Sequence, residues 1–276
     1  MNPYKPKIKA PNPFLIDHTT EVLLRNRLNS VCEAAICPNR TECYANNTAT
    51  FMILGDTCTR ACSFCNVKTG KGLAVDEDEP YRLAQAIKEL KLDYVVITSV
   101  DRDDLNDYGA GHFLSCVNVI KKECPRVKLE LLTPDFHADE RAMELIVQNK
   151  VEKLAHNQET VRRLSPTVRP QSKYDRSLKT LQYYASKSQS IVKSSFMLGL
   201  GENENELLET MQDLLDVGVS ELSIGQYLQP TPKHHKVQRY YPQEFFDQLR
   251  VEAVNMGFKA VASGILVRSS YHAKDL

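Results

Sequence analysis

The sequence predicts an α/β protein built as a partial (β/α)6, TIM-like barrel, and three observations predict it. Six apolar runs recur at 50–55, 94–100, 127–133, 151–156, 191–198 and 221–228. Amphipathic segments with helix punctuation separate them, and continuous apolar strands alternating with helices argue for a parallel sheet covered by helices. A full barrel of eight units takes ~250 residues, whereas here the first run begins only at residue 50 of 276, which leaves room for six units. The expected division is an N-terminal extension over residues 1–47, a barrel over 48–257 and a C-terminal extension over 258–276. The two extensions are expected to cover the barrel mouth.

In chain order, the Pro- and Lys-containing start reads as an extended arm, and EVLLRNRL after Asp17 reads as one helix. A cysteine triplet follows, Cys32, Cys37 and Cys43, with Pro38 and Asn39 marking irregular backbone. Glu33 to Ala35 also fit a short helix with Cys32 and Ile36 on one face, a reading that leaves Cys37 and Cys43 without explanation. Leu83, Ile87 and Leu90 repeat at helical spacing after Pro80, a good first helical position. Asn203 with Glu206 reads as a capping box before the stripe Leu207, Met211, Leu214, and Gly218 suits the helix end. Pro242 opens a last helix with Phe245, Leu249 and Ala253 inward and Gly257 closing it.

Composition narrows the function. With 42% hydrophobic and 25% charged residues the chain can bury a sizeable core, and 35 basic residues against 35 acidic ones give no sign of nucleic-acid binding. No apolar stretch reaches the length of a membrane span, and the amino terminus lacks the apolar segment of a secretory signal. It is also too Pro-rich and short for a mitochondrial transit peptide, so a cytoplasmic location is expected, and a monomer. Six of the eight cysteines fall into two triplets. A disulfide scaffold is a poor explanation for a chain of this length without an export signal, and metal ligation in a reducing compartment is a better one.

The second triplet, Cys58, Cys62 and Cys65, follows the first apolar run with C-x3-C-x2-C spacing. A structural zinc site needs a fourth ligand and the loop offers none. An iron–sulfur cube held by three cysteines keeps one iron open. This loop, with Phe64 just before the last cysteine, resembles the radical S-adenosylmethionine (SAM) superfamily, a resemblance that also implies a partial barrel. It implies that the open iron takes the amino and carboxylate groups of SAM, which an electron from the cluster splits into methionine and a 5′-deoxyadenosyl radical. The strand-end residues are weighed against that. Thr98, Ser99 and Asp101, in ITSVDRDDL, are ordinary strand-end capping residues in isolation and SAM-site candidates beside a cysteine loop. Asn157 and Glu159, in HNQET, suit ribose hydroxyls, the alternative being a helix cap by Asn157. Arg169 either pairs with a charged ligand or is a surface arginine. Gly199 and Gly201, in LGLGE, permit close backbone approach by a ligand, and the resemblance implies contact with adenine or methionine there. Gln226, with Tyr227 in IGQYLQPT, ends the sixth strand at the same mouth.

The tail SGILVRSSYHA completes a more specific resemblance. C-x4-C-x5-C near the amino end, C-x3-C-x2-C after the first strand and RSSY near the carboxyl end are together similar to the lipoyl synthase family, over nearly the whole chain from about residue 30. The resemblance implies a second [4Fe–4S] cluster on Cys32, Cys37, Cys43 and a serine, Ser269 in preference to Ser270, so that the chain carries two [4Fe–4S] clusters. It implies an octanoyl chain on a lysine of a lipoyl-carrier domain (an H protein or an acyltransferase-subunit lipoyl domain) as substrate. Sulfur is inserted at C6 and C8 of that chain, with two SAM per product and the second cluster surrendering the sulfur. Unactivated C–H bonds require a radical because no side-chain base removes such protons. A ferredoxin or flavodoxin as electron donor and an iron–sulfur carrier for cluster repair are implied as well. The nearest rivals are methylthiotransferases, which carry an added basic domain this neutral chain lacks, and biotin synthase, which lacks the N-terminal triplet. A non-catalytic metal-binding module would not need Ser99, Asn157 and Gly201 at strand ends. Cys116, among Phe113, Val117 and Ile120, reads as a buried core thiol. Cys124 falls outside the pattern. His234 and His235 lie in a basic loop that reads equally as a docking site for an acidic carrier domain or as a solvated loop.

Overall fold

The computed structural model describes residues 6, 13–45, 50–271 and 273–274. Of the extended arm expected before Asp17, residues 1–5 and 7–12 lie outside the described residues, and the stretch from Pro13 is already helical. The described chain forms two compact units, one comprising residues 9–60 and 66–153, the other residues 61–65 and 154–276.

The first unit contains α1 (Pro13–Arg25), β1 (Asn29–Ser30), α2 (Val31–Ala34), α3 (Arg40–Ala45), β2 (Thr50–Ile53), β3 (Thr57–Cys58), β4 (Lys68–Thr69), α4 (Glu79–Glu89), β5 (Tyr94–Ser99), α5 (Ala110–Glu123), β6 (Lys128–Leu132) and α6 (Glu140–Val147). β1 lies antiparallel to β2, with Ser30 opposite Phe51. β2, β5 and β6 then follow in parallel, with Met52 beside Thr98 and Val96 beside Glu130. Every residue of β2 is buried, which is why that run reads as continuously apolar rather than alternating. The periodicities explain the helices. α4 buries Leu83, Ala84 and Ile87 behind Pro80, and α5 buries Phe113, Cys116, Val117 and Ile120. Cys116 is the core thiol its neighbours predict, its pKa pushed up chiefly by burial. α6 begins where the Asp139 side chain accepts from the Arg141 and Ala142 N–H groups.

The second unit opens at β7 (Lys153–Ala155) and continues through α7 (Ser165–Val168), α8 (Tyr174–Lys187), β8 (Ile191–Leu198), α9 (Glu204–Asp216), β9 (Glu221–Gln226), α10 (Gln243–Met256) and β10 (Ala260–Gly264). β8, β9 and β10 are parallel, Phe196 beside Ile224 and Ile224 beside Ser263. The His156 N–H donates to the Lys193 carbonyl of β8. The capping box forms as read, Asn203 accepting from the Glu206 N–H while the Glu206 carboxylate accepts from the Asn203 N–H.

All six expected strands are present, and the sheet is predominantly parallel and open in both units, as the α/β partial-barrel reading requires. Two details differ. β10 adds a further parallel strand inside the expected C-terminal extension. Its residues AVASG are small and mostly half-buried, so they lack the apolar run that marks the others. In α10 the buried aromatic is Phe246 rather than Phe245, which instead stacks on Tyr241 at 4.6 Å.

Candidate functional site

β2 ends in a sharp reversal, with Leu54 and Gly55 both in the left-handed region (φ 67° and 93°). The Glu79 carboxylate holds it by accepting from the Leu54 N–H, and His112 meets the same oxygen at 2.7 Å. The chain then enters β3 and reaches Cys58. The Cys58 sulfur faces the backbone N–H groups of Arg60 and Asp101, each at 3.4 Å, and lies 3.6 Å from Asp101 Oδ2. N–H groups aimed at sulfur suit a metal-bound thiolate and are among the features that tune iron–sulfur clusters.

Two residues beyond Cys58, the buried Arg60 guanidinium sits among three carboxylates. It meets Asp101 at 3.1 Å, Asp103 through two hydrogen bonds of 2.8 Å, and the fully buried Asp135 at 2.8 Å. Burial alone would lower the Arg60 pKa, but the carboxylates outweigh it and push the pKa up. Burial likewise pushes Asp103 up, yet Arg60 and His137 prevail and hold its carboxyl below the usual range. The three acids come from the ends of β5 and β6. The sequence contained them, but only folding brings them to one arginine.

The later part of the loop, residues 61–65, belongs to the second unit and is held differently. The Cys65 N–H donates to the Cys62 carbonyl. The Ser63 N–H and hydroxyl both donate to the Val168 carbonyl, and the Ala61 N–H donates to the Gln171 side chain. Phe64 packs on the apolar cluster of Val168, Leu200 and Tyr227, so the aromatic before the last cysteine seats the loop. His234 and His235 donate into the same segment, as described below.

The N-terminal triplet lies in the first unit. Cys32 is the second residue of α2, where its N–H donates to the Ser30 hydroxyl; the short helix is present but ends at Ala34, so Ile36, left-handed and exposed, does not share a helix face with the buried Cys32. The Cys37 N–H donates to the Cys32 carbonyl and the Cys43 N–H to the Asn39 carbonyl. Burial first, and then the charges of Cys32 and Cys37, raise the Cys43 pKa to about 12. That mutual influence places the three thiols in one locality. No three His, Cys, Asp or Glu side chains among the described residues converge on a single ion. A cube differs in this respect, because each cysteine ligates its own iron and the thiolates stand further apart.

The strand-end candidates fall into three kinds. Ser99 Oγ, Asn157 Oδ1 and Arg169 Nε are buried polar atoms with no hydrogen-bond partner among the described residues, the condition a polar ligand would relieve. Asn157 Nδ2 donates to Glu159, whose φ of 65° is unusual for a residue with a side chain. Burial raises the Glu159 pKa against the opposing effects of Arg169 and Asn157. Arg169 is buried, not the surface arginine it might have been, and donates to the Gln158 carbonyl. A second group is taken up within the protein. The Thr98 hydroxyl donates to the Leu132 carbonyl, and Gln226 donates to the carbonyls of Leu198, Tyr227 and Arg239 while accepting from the Tyr241 N–H. Asp101 binds Arg60 as described. The third kind is backbone. Gly199 and Gly201 have φ of 99° and 116°, and a Cβ on Gly199 would lie 2.3 Å from Gln226 and 2.5 Å from the Arg239 carbonyl. The Glu202 carboxylate, which the sequence reading passed over, accepts from the N–H groups of Gly199, Leu200 and Gly201. Ser269 and Ser270 occupy the turn closed by the Tyr271 N–H donating to the Arg268 carbonyl. That tail runs against β9, where a Cβ on Gly225 would lie 2.0 Å from the Val267 carbonyl.

Cysteines presented beside N–H donors on a strand-end loop, with partnerless polar atoms at other strand ends, fit a cluster and a polar cofactor. The chain belongs to the radical SAM superfamily, whose family model matches residues 52–214; SAM and a [4Fe–4S] cluster are the cofactors of that class. Solved structures share the fold at low identity. Methylornithine synthase (PylB) superposes with a TM-score of 0.57 at 14% identity, over 90% of this chain and 84% of its own. Streptococcus suis SuiB bound to S-adenosylmethionine gives 0.59 at 13%, over 81% and 53%. Sequence similarity is far closer to proteins named lipoyl synthase, and the chain is an enzyme of that family. The relative from Treponema denticola is 46% identical over 97% of this chain and 92% of its own length, and that from Histophilus somni (strain 2336) is 51% identical over 97% and 84%. Among the described residues no helix is long and apolar enough to cross a membrane.

Proposed function

We propose that this enzyme inserts two sulfur atoms, at C6 and C8, into an octanoyl chain held as an amide on a lysine of a lipoyl-carrier domain. The observation that carries the reading is the pairing of two cysteine triplets in a chain similar along 97% of its length to lipoyl synthases. Cys58, Cys62 and Cys65 would hold the SAM-cleaving cluster, and Cys32, Cys37, Cys43 and Ser269 a second one. When bound, the first supplies the electron for SAM cleavage and the second supplies sulfur. The protein's own part is positioning. The Asp101 and Arg60 N–H groups hold the Cys58 sulfur, Asn157 and Glu159 address ribose hydroxyls, and Arg169 balances Glu159 and a ligand carboxylate. In the first unit Thr98 and Ser99 would serve SAM, and in the second the Gly199–Gly201 turn would allow close approach by adenine or methionine, with Gln226 at the end of β9. Two SAM are consumed per product, with a ferredoxin or flavodoxin as reductant and an iron–sulfur carrier rebuilding the second cluster. The functional division would follow residues 1–47, 48–257 and 258–276.

The test is anaerobic turnover of reconstituted protein with SAM, reductant and an octanoylated carrier-domain peptide, read by mass spectrometry. The expected product carries two added sulfurs, with 5′-deoxyadenosine released. In Cys37→Ala, iron content should halve and deoxyadenosine should form without sulfur insertion. Deoxyadenosine without sulfur from protein loaded with both clusters would overturn the substrate assignment.

A further inference from the structure

The loop PTPKHHKVQ reads from sequence equally as a docking site or as a solvated loop, and its hydrogen bonds show a further role. His234 Nε2 lies 3.0 Å from the Cys65 carbonyl, and His235 Nε2 lies 3.0 Å from the Leu200 carbonyl. A carbonyl only accepts, so Nε2 carries the proton in both rings. The other nitrogen of His234 meets the Thr231 hydroxyl at 2.8 Å, which fixes the ring. The His235 N–H also donates to the Ser63 carbonyl at 2.8 Å. His235 therefore joins the cysteine segment to the glycine turn through one residue. The loop is itself pinned, with the Tyr227 hydroxyl donating to the His235 carbonyl at 2.7 Å and Gln229 to the His234 carbonyl at 3.0 Å. Both histidines are half-buried, and every one of these bonds lies within the second unit.

We propose that His234 and His235 are positioning residues that hold Cys62 and Cys65 in register with the Gly199–Gly201 turn. The Cys65 N–H donates to the Cys62 carbonyl, Ser63 ties the segment to Val168, and the two histidines add a constraint from the 231–238 loop that links it to the glycine turn. Their Nε2 atoms are taken up by main-chain carbonyls, so they act through the carbonyls they bind. This rests on the reading that Cys58, Cys62 and Cys65 hold the SAM-binding cluster.

The experiment compares wild-type holoenzyme with His234→Leu, His235→Leu and the donor-preserving His234→Gln and His235→Gln. It follows the electron paramagnetic resonance signal of the reduced cluster during SAM titration and the rate of iron loss to a chelator. The Leu variants should need about tenfold more SAM for half-maximal change of the signal, roughly one hydrogen bond's contribution, and should lose iron faster. The Gln variants should recover most of both, at thermal midpoints matching the Leu variants. Wild-type behaviour in folded Leu variants would overturn the assignment, as would Gln variants no better than Leu. A wild-type holoenzyme whose cluster signal ignores SAM would instead overturn the underlying reading of the cysteines.

Discussion

One cysteine loop is held in two chemically different ways. At Cys58 the anchor is ionic and buried, one guanidinium among Asp101, Asp103 and Asp135. At Cys62 and Cys65 it is neutral, made of backbone bonds to Val168, imidazole donors and the packing of Phe64. The difference has a physical consequence. A buried guanidinium with carboxylates is all or nothing, because losing one partner leaves uncompensated charge. A set of neutral hydrogen bonds can weaken by degrees, each bond contributing a small share. The first anchor should therefore govern whether the loop forms, and the second how well its thiolates are aligned.

The comparison can be broken at several strengths. Arg60→Met should have the largest effect, destabilising the apo-protein by about 3–5 kcal/mol in a denaturant titration; a loss under 1 kcal/mol would show that the carboxylates are not held as an ionic set. Glu202→Ala, which leaves three glycine-turn N–H groups without their acceptor, should cost about 1–3 kcal/mol and weaken SAM binding, measured by equilibrium titration. Acid should act on the ionic anchor through its carboxylates. Asp103 is held below its ordinary value of 3.8, so its contribution is full above that value and lost as pH falls through the lower folded pKa. Stability measured below about pH 4 should thus decline more steeply in wild type than in Asp103→Asn. Glu159 has the opposite sign, because its folded pKa is raised and its ionised form burdens the fold at neutral pH. Glu159→Gln should raise the thermal midpoint of the apo-protein slightly while weakening SAM binding; loss of both would make Glu159 a structural residue. The smallest effect belongs to Arg163→Ala, which removes the pair between the exposed Arg163 and Glu206 and should change stability by about 1 kcal/mol.

Much of the site could be read along the chain. Both triplets, the glycine turn and the capping box are local patterns whose chemistry depends on spacing, and the apolar runs that became β2, β5, β6, β7, β8 and β9 carry their burial in their composition. β10 could not be found that way, since AVASG is recognisable as a strand only from its register with β9. Gln226 illustrates the same limit. As sequence it is a polar side chain at a strand end, and its engagement with Leu198, Arg239 and Tyr241 depends on chain segments that meet only after folding.

By itself the sequence determined the fold class and the family, because apolar periodicity and cysteine spacing are properties of neighbouring residues. Tertiary structure alone decided what holds those cysteines. Arg60 meets an aspartate 75 positions away, and His234 a carbonyl 169 positions away. Such pairings follow from the path of the backbone between them, and no short stretch of residues encodes that path.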